Sequence, residues 1–169
     1  TGESFSASVR LGEVENIQNA QEKRMGLRLF IDQNSALTST ANFTHDALQS
    51  FVEGTLGLAQ ATAADEFSGL PDKTALAQDS PDLDLTDLQS ALTLEEKLAL
   101  AKEAEEAALT SDARITNSEG AEFSNAAREI LYANSLGFCR TYQTTSFSLS
   151  VVPIASQNGS MQRDYWYSS

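Results

Sequence analysis

The dipeptide Asn158-Gly159 is the feature that most restricts how this chain can fold. It lies between two runs rich in β-branched and aromatic residues, GFCRTYQTTSFSLSVVPIA and MQRDYWYSS, and a third such run, AEFSNAAREILYANS, precedes them. An Asn-Gly pair readily adopts the left-handed conformation of a two-residue hairpin turn, and runs of this composition favour strands. The sequence therefore predicts an antiparallel hairpin whose return strand is MQRDYWYSS.

Strands are also predicted at the beginning of the chain. Residues 4–17 alternate between apolar and polar positions, and the alternation shifts after Gly12, which indicates a turn or bulge there. Residues 26–31 and 35–43 form two further strand patterns, joined by a polar hairpin turn at residues 32–34.

Two segments between these strands have helical periodicity. Residues 45–61 follow Thr44, a good N-cap, and carry apolar residues at spacings of three and four. Residues 94–109 follow Thr93, which forms a capping-box pattern with Glu96. The predicted fold is α+β, with antiparallel β meanders and two helices packed on them.

The segment between the helices is a predicted loop. Residues 62–91 contain glycine, prolines and the acidic run DLDLTD, and they lack a clear period. Because this is long for an unstructured connection, we expect it to cross the surface or to contain a short helical turn. One domain is expected over residues 1–169, with a possible soft boundary at 62–92.

Charge and composition limit the partners. The net charge is −13, from 24 acidic and 11 basic residues, and no basic stripe is present. Such a field repels a phosphate backbone, so direct nucleic-acid binding is not expected. No apolar run approaches the ~20 residues of a membrane helix. Cys139 is the only cysteine, which rules out an internal disulfide and favours a reduced, cytoplasmic setting.

Three groups of residues are candidates for a catalytic or metal site. His45 lacks a second histidine four residues later, where Gln49 stands, so a solvated histidine at a helix end is expected. Cys139 has no histidine nearby in sequence and is predicted to be a buried strand cysteine. The acidic cluster lacks the central glycine and closing glutamate of a calcium loop and is expected to be solvated. It consists of Asp79, Asp82, Asp84 and Asp87.

No catalytic, cofactor-binding or metal-binding residue is therefore assigned from the sequence. The sequence gives no basis for naming substrate contacts. A position in the core or at its rim is equally compatible with Arg140, Tyr142 and Trp166. Long strands such as RTYQTTSFSLSVV suggest a different kind of site, because a strand edge can hold an extended peptide through backbone hydrogen bonds.

Five stretches, taken in order, resemble the amino-terminal half of PmbA/TldD proteins, a family long labelled modulators of DNA gyrase. The likeness extends over nearly all 169 residues and is closer to the PmbA (TldE) branch than to TldD. The stretches are VRLGEVENI, GLRLFI, DSPDLDL, RITNSEGAEFS and NGSMQRDYWYSS.

The resemblance implies a role in a cytoplasmic zinc peptidase complex. PmbA and TldD are thought to act together in trimming a microcin leader and in degrading unfolded peptides such as an antitoxin. TldD-type subunits carry an HExxxH metal motif, whereas PmbA-type subunits lack it and are the non-catalytic partner. The expected partners are thus a TldD-like subunit and unfolded peptides, in a homo- or heterodimer, with zinc bound by the partner or by a carboxy-terminal portion.

The sequence is compatible with two alternatives. The full-length protein is an active zinc protease if an HExxxH motif lies downstream, in the region that the resemblance does not reach. It is a non-proteolytic modulator if gyrase or another protein is its true partner. The resemblance also predicts that residues 1–169 are the amino-terminal domain of a longer protein. In that case the terminal rings Tyr165, Trp166 and Tyr167 would pack on a further domain.

Overall fold

A computed structural model of the chain describes residues 1–87 and 92–169. Within these residues the fold is α+β, because two α-helices accompany antiparallel sheets, and this confirms the prediction. The last four residues of the predicted loop, 88–91, lie outside the described residues. In chain order the elements are β1 (Gly2–Arg10), β2 (Glu13–Glu22), β3 (Met25–Ile31), β4 (Asn34–Thr40), α1 (His45–Ala61), a 3₁₀ turn (Lys73–Ala75), α2 (Leu94–Thr110), β5 (Ile115–Ala133), β6 (Cys139–Gln157), β7 (Ser160–Arg163) and β8 (Trp166–Ser168).

The chain divides into two compact units. The first contains Thr1, residues 22–81 and residues 131–140, and the second contains residues 2–21, 82–130 and 141–169. One boundary therefore lies between Pro81 and Asp82. The expectation that residues 1–169 form the amino-terminal domain of a longer protein stays a prediction.

The first unit is built on a two-stranded hairpin. β3 and β4 pair antiparallel from Met25 opposite Thr40 to Ile31 opposite Asn34. The turn follows from Asp32, which has a φ of 53° and so takes the left-handed conformation that aspartate tolerates. This confirms the predicted hairpin.

Helix α1 packs on this hairpin through a narrow face. Thr55 and Ala59, four residues apart, are buried, and the Thr55 hydroxyl is hydrogen-bonded to that of Thr38 on β4. α1 begins at His45 and ends at Ala61, as the apolar spacing predicts. Of the two alternatives expected for the following loop, a path across the surface or a short helical turn, the helical turn is present at Lys73–Ala75.

The second unit contains a six-stranded sheet in the order β2-β1-β5-β6-β7, with β8 also paired to β6. β1 and β5 are antiparallel, and Ala7 lies opposite Phe123 and Val9 opposite Ala121. Because strand side chains alternate in direction, these four residues share one face of the sheet, and all four are buried.

Helix α2 covers that face. It begins with the predicted capping box, since the Thr93 hydroxyl accepts from the Glu96 amide and the Glu96 carboxylate accepts from the Thr93 amide. Ala101 is buried against the sheet, and the partly buried residues around it close the core. The core contains Val9, Ala101, Ala121, Phe123 and Val151, surrounded by Phe5, Leu92, Leu98, Leu100, Ala104, Ala108, Phe147 and Leu149.

The terminal hairpin is confirmed but its return strand is divided. Asn158 and Gly159 have φ angles of 53° and 79°, as a type I′ turn requires, and Gln157 pairs with Ser160 beyond them. The return segment then separates into β7 and β8, with Asp164 and Tyr165 between them. Tyr165, Trp166 and Tyr167 are 57–70% exposed as whole residues, and packing of their rings on a further domain stays a prediction.

Candidate functional site

The candidate residues in the first unit lie at the surface. His45 is the exposed first residue of α1, as expected of a solvated helix-end histidine. Cys139 is exposed, so the prediction of a buried cysteine is wrong. The reason is its position at the first residue of β6, where residues 139–143 are all exposed, whereas the core contacts of β6 begin further along, at Phe147.

Arg140 has a structural role. Its Nε donates to the Ser80 hydroxyl at 2.7 Å, and its two terminal nitrogens donate to the carbonyls of Cys139 and Gln78 at 2.9 and 3.4 Å. The guanidinium also lies 5.2 Å from the centroid of the Phe138 ring. These contacts hold the 78–80 loop segment against the tip of the β5–β6 hairpin, so Arg140 is a tether rather than a free anion-binding group.

The acidic cluster is solvated, as expected. Asp79, Asp82, Asp84 and Asp87 are exposed. Among residues 1–87 and 92–169, no three His, Cys, Asp or Glu side chains come close enough together to hold a metal ion. The residues present therefore do not fit a metal centre, and no metal-dependent step is assigned to them.

Two shallow clefts lie among the described residues of the second unit, and the residues that line them include no nucleophile paired with a base. The first cleft has a volume of about 410 Å³ and lies across the sheet. Six serines line it, together with residues that include Arg128 and Asn125. The buried Oδ1 of Asn125 accepts no hydrogen bond from the described residues. The other, of about 370 Å³, includes Asp112 and Arg114. Hydrogen bonds from Arg114 hold the pKa of the exposed Asp112 carboxyl far below its ordinary value, so it is a poor proton donor or acceptor near neutral pH.

The strand edges offer a different kind of site. β6, the strand that the sequence suggested as a peptide-binding edge, lies inside the sheet, with β5 on one side and β7 and β8 on the other. At Thr145 its amide donates to the Leu85 carbonyl at 2.9 Å, and its hydroxyl accepts from the Asp87 amide at 2.8 Å. β8 pairs with β6 at residues 149–151 and β7 pairs with it at residues 154–157, so these parts of β6 offer no open edge. For residues 140–148, which the acidic loop contacts at Thr145, peptide binding stays a prediction.

Within the described residues β2 is an edge strand of the sheet, which the sequence did not indicate. It is the last strand in the sheet order, and all ten of its residues are exposed. The alternating pattern in the sequence extends only to Ile17, whereas β2 continues to Glu22. We refer to the solvent-facing backbone and side chains of Glu13–Glu22 as the β2 edge. Its chemistry is that of a binding surface, since it presents amide donors, carbonyl acceptors and carboxylates.

No helix in the described ranges, 1–87 and 92–169, is long and apolar enough to cross a membrane.

Comparison with known proteins gives matches over most of the chain. Residues 1–64 match the family domain described as PmbA/TldA metallopeptidase domain 1, and residues 87–169 match the PmbA/TldA metallopeptidase central domain. The chain is 37% identical to the metalloprotease PmbA of Escherichia coli O157:H7 over 96% of its own length and 36% of that relative. It is 34% identical to a PmbA homologue of Haemophilus influenzae over the same shares.

Solved structures agree with these matches. A candidate modulator of DNA gyrase from Bacteroides thetaiotaomicron superimposes with a TM-score of 0.87 at 25% identity, over 98% of this chain and 38% of that one. TldE from Thermococcus kodakarensis superimposes with a TM-score of 0.72 over 98% of this chain and 37% of that one. At 13% identity, the second likeness shows the fold alone.

Proposed function

Because the chain belongs to the PmbA/TldD metallopeptidase family, we propose that it is a PmbA (TldE)-like, non-catalytic region of a cytoplasmic zinc metallopeptidase complex. The complex would process or degrade unfolded peptides, of the microcin-leader or antitoxin type, together with a TldD-like subunit. The chain spans 36% of the length of the PmbA relatives from Escherichia coli and Haemophilus influenzae, so the activity, substrates and partners of a whole protein are part of this proposal.

The observation that carries the proposal is the match to two consecutive family domains, in the same order, with 37% identity to a PmbA relative. Identity at this level over 96% of the chain supports assignment to the PmbA branch. In that branch the expected contribution is to the substrate chamber and the dimer interface, whereas the TldD-type subunit supplies the zinc site.

The names of the relatives favour two other functions. The Escherichia coli relative is itself called a metalloprotease, which favours an active enzyme with its own HExxxH motif. The Bacteroides structure is described as a candidate modulator of DNA gyrase, which favours a regulator that acts without proteolysis.

Purification of the native protein from its source cells distinguishes the three functions: non-catalytic subunit, active zinc enzyme and regulator. The whole polypeptide would be sequenced by mass spectrometry, its bound zinc measured by atomic emission, and its copurifying proteins identified. We expect no HExxxH motif and no stoichiometric zinc in this polypeptide, and a TldD-like subunit that carries both. An HExxxH motif with one zinc per chain would establish the active enzyme instead. Copurification with gyrase, but without a TldD-like subunit, would establish the regulator.

A further inference from the structure

We propose that the β2 edge binds extended peptide segments that carry lysine or arginine, by adding them to the six-stranded sheet as a further strand. This goes beyond the proposed function, because such a segment can bind whether or not a partner subunit cuts it. The proposal rests on three observations: the continuity of β2, the contrast with the opposite edge of the sheet, and the sign of its charge.

The first observation is the length and exposure of β2. It extends for ten residues, Glu13–Glu22, beyond the tight turn at Leu11 and Gly12, and every residue is exposed. Within the described residues β2 has one neighbour in the sheet, β1. About half the residues of an edge strand direct both their amide and their carbonyl away from the sheet. An incoming strand can therefore form several consecutive backbone hydrogen bonds here.

The second observation is that the opposite edge is broken up. There the outer strands β7 and β8 are four and three residues long, and the Asp164 amide turns inward to the Pro153 carbonyl at 3.3 Å between them. Short, interrupted strands are a common protection against unwanted pairing. β2 has no such interruption, and it contains neither proline nor lysine. The outer strands at that edge are thus short and interrupted, whereas β2 is continuous.

The third observation selects the partner. The charged residues of β2 are all acidic: Glu13, Glu15 and Glu22. Glu13 and Glu15 are two residues apart and so lie on the same side of the strand. Opposite charges on facing cross-strand positions are stabilising, whereas like charges are destabilising. A peptide with lysine or arginine at alternate positions therefore matches this edge.

A second copy of the chain is a poor partner for the β2 edge. Full antiparallel overlap of two β2 strands would place Glu13 of one copy opposite Glu22 of the other, and full parallel overlap would place each glutamate opposite itself. Each chain also carries a net charge of −13, which opposes self-association and attracts cationic peptides.

Fluorescence anisotropy with synthetic peptides tests the proposal. The probe is a labelled octapeptide that alternates lysine with threonine, and the matched control has glutamate in place of lysine. A third peptide keeps the lysines but is N-methylated at each central residue, which removes its backbone donors. We expect saturable binding of the first peptide alone. Binding of the N-methylated peptide with equal affinity would overturn the proposal, because attraction between charges would then suffice.

Two double variants locate the binding site. The double variant Glu13→Gln, Glu15→Gln is expected to lower the affinity for the lysine peptide about three- to tenfold, because two exposed ion pairs are lost. Glu103→Gln with Glu106→Gln removes the same charge from the exposed face of α2 and is expected to leave affinity within about twofold, since salt screens distant charges. Equal weakening by both pairs would overturn the proposal. Concentration-dependent dimerisation that Ile17→Pro abolishes would also overturn it, since a second copy would then occupy the edge.

Discussion

The carboxylate of Glu105 on α2 accepts a hydrogen bond from the backbone amide of Gly12 at 2.9 Å. Its other oxygen accepts from the Leu11 amide, also at 2.9 Å, and Glu105 itself is 1% exposed. Leu11 and Gly12 form the turn between β1 and β2, with φ angles of 49° and 80°. One buried side chain thus satisfies both amides of the turn and ties the β1–β2 hairpin to α2.

Replacement of Glu105 by alanine is therefore expected to destabilise the fold. The variant leaves two turn amides without their acceptor, and hydrogen bonds to a charged group contribute about 1.5–3 kcal/mol each, partly offset because water can reach the turn. We expect the free energy of unfolding to fall by about 2–4 kcal/mol. Urea denaturation followed by circular dichroism measures it.

Glu103→Ala is the matched control for this prediction, because Glu103 is exposed on the same helix. It is expected to change stability by less than about 0.5 kcal/mol. If Glu105→Ala were no more destabilising than Glu103→Ala, the two hydrogen bonds would not hold the turn.

Gly120 has a different reason to resist substitution. Its φ is +116°, and a Cβ at this position would lie 2.6 Å from the Val9 carbonyl oxygen. Both the backbone conformation and the contact are unfavourable for alanine, so Gly120→Ala is expected to cost about 1–3 kcal/mol or more. Thermal unfolding of the variant measures the loss. An unchanged melting temperature would show that β5 relaxes here at no cost.

Local signals predicted much of the fold. Asn158-Gly159 and the Thr93–Glu96 pair each specify their structure through a few neighbouring residues, and both are found as predicted. The sequence does not indicate that Glu105 is buried, because a glutamate in a helix is usually on the solvated face. Its spacing of four from Ala101 was a signal, since both lie on the buried stripe. What the sequence did not show was its partner, the β1–β2 turn, which lies 93 residues away along the chain.

The candidate site was harder to predict, because strand order is a non-local property. The composition of β6 suggested an open edge, yet the fold pairs the last part of this strand with β7 and β8. β2 is polar and weakly periodic, and it becomes the edge only because β1 pairs with β5 on its other side. The exposure of Cys139 has the same origin, since burial of a strand residue depends on which layer covers it.

Replacement of either of two glycines in α1 by alanine is expected to increase stability. Gly54 and Gly57 lie within α1, and a Cβ at either position would meet nothing within 4 Å. Because glycine costs about 0.5–1 kcal/mol relative to alanine inside a helix, each Gly→Ala variant is expected to stabilise the chain by that amount. Chemical denaturation of the single and double variants measures the effect. Destabilisation would indicate that another surface approaches this side of α1.

The capping box of α2 predicts a dependence on pH. Hydrogen bonding with Thr93 holds the pKa of Glu96 below its ordinary value of 4.5. The backbone amide of Thr93 has the larger effect and its hydroxyl the smaller one. A carboxyl whose pKa is lower in the folded state stabilises the fold above that ordinary value, and the contribution is lost as the pH falls through the folded pKa. Glu96→Gln is therefore expected to be less stable than the parent chain at pH 7, with a difference that shrinks below about pH 4.5.

Glu95→Gln provides the matched control, because it removes the same charge from the first turn of α2 without touching the capping box. Urea unfolding of both variants and the parent chain between pH 3 and pH 7 gives the comparison. As the pH falls, the difference in the free energy of unfolding between Glu96→Gln and the parent chain should shrink more than the corresponding difference for Glu95→Gln. Parallel curves for the two variants would mean that the general attraction of the helix N-terminus for negative charge accounts for the effect, and that the Thr93 hydrogen bonds add nothing to it.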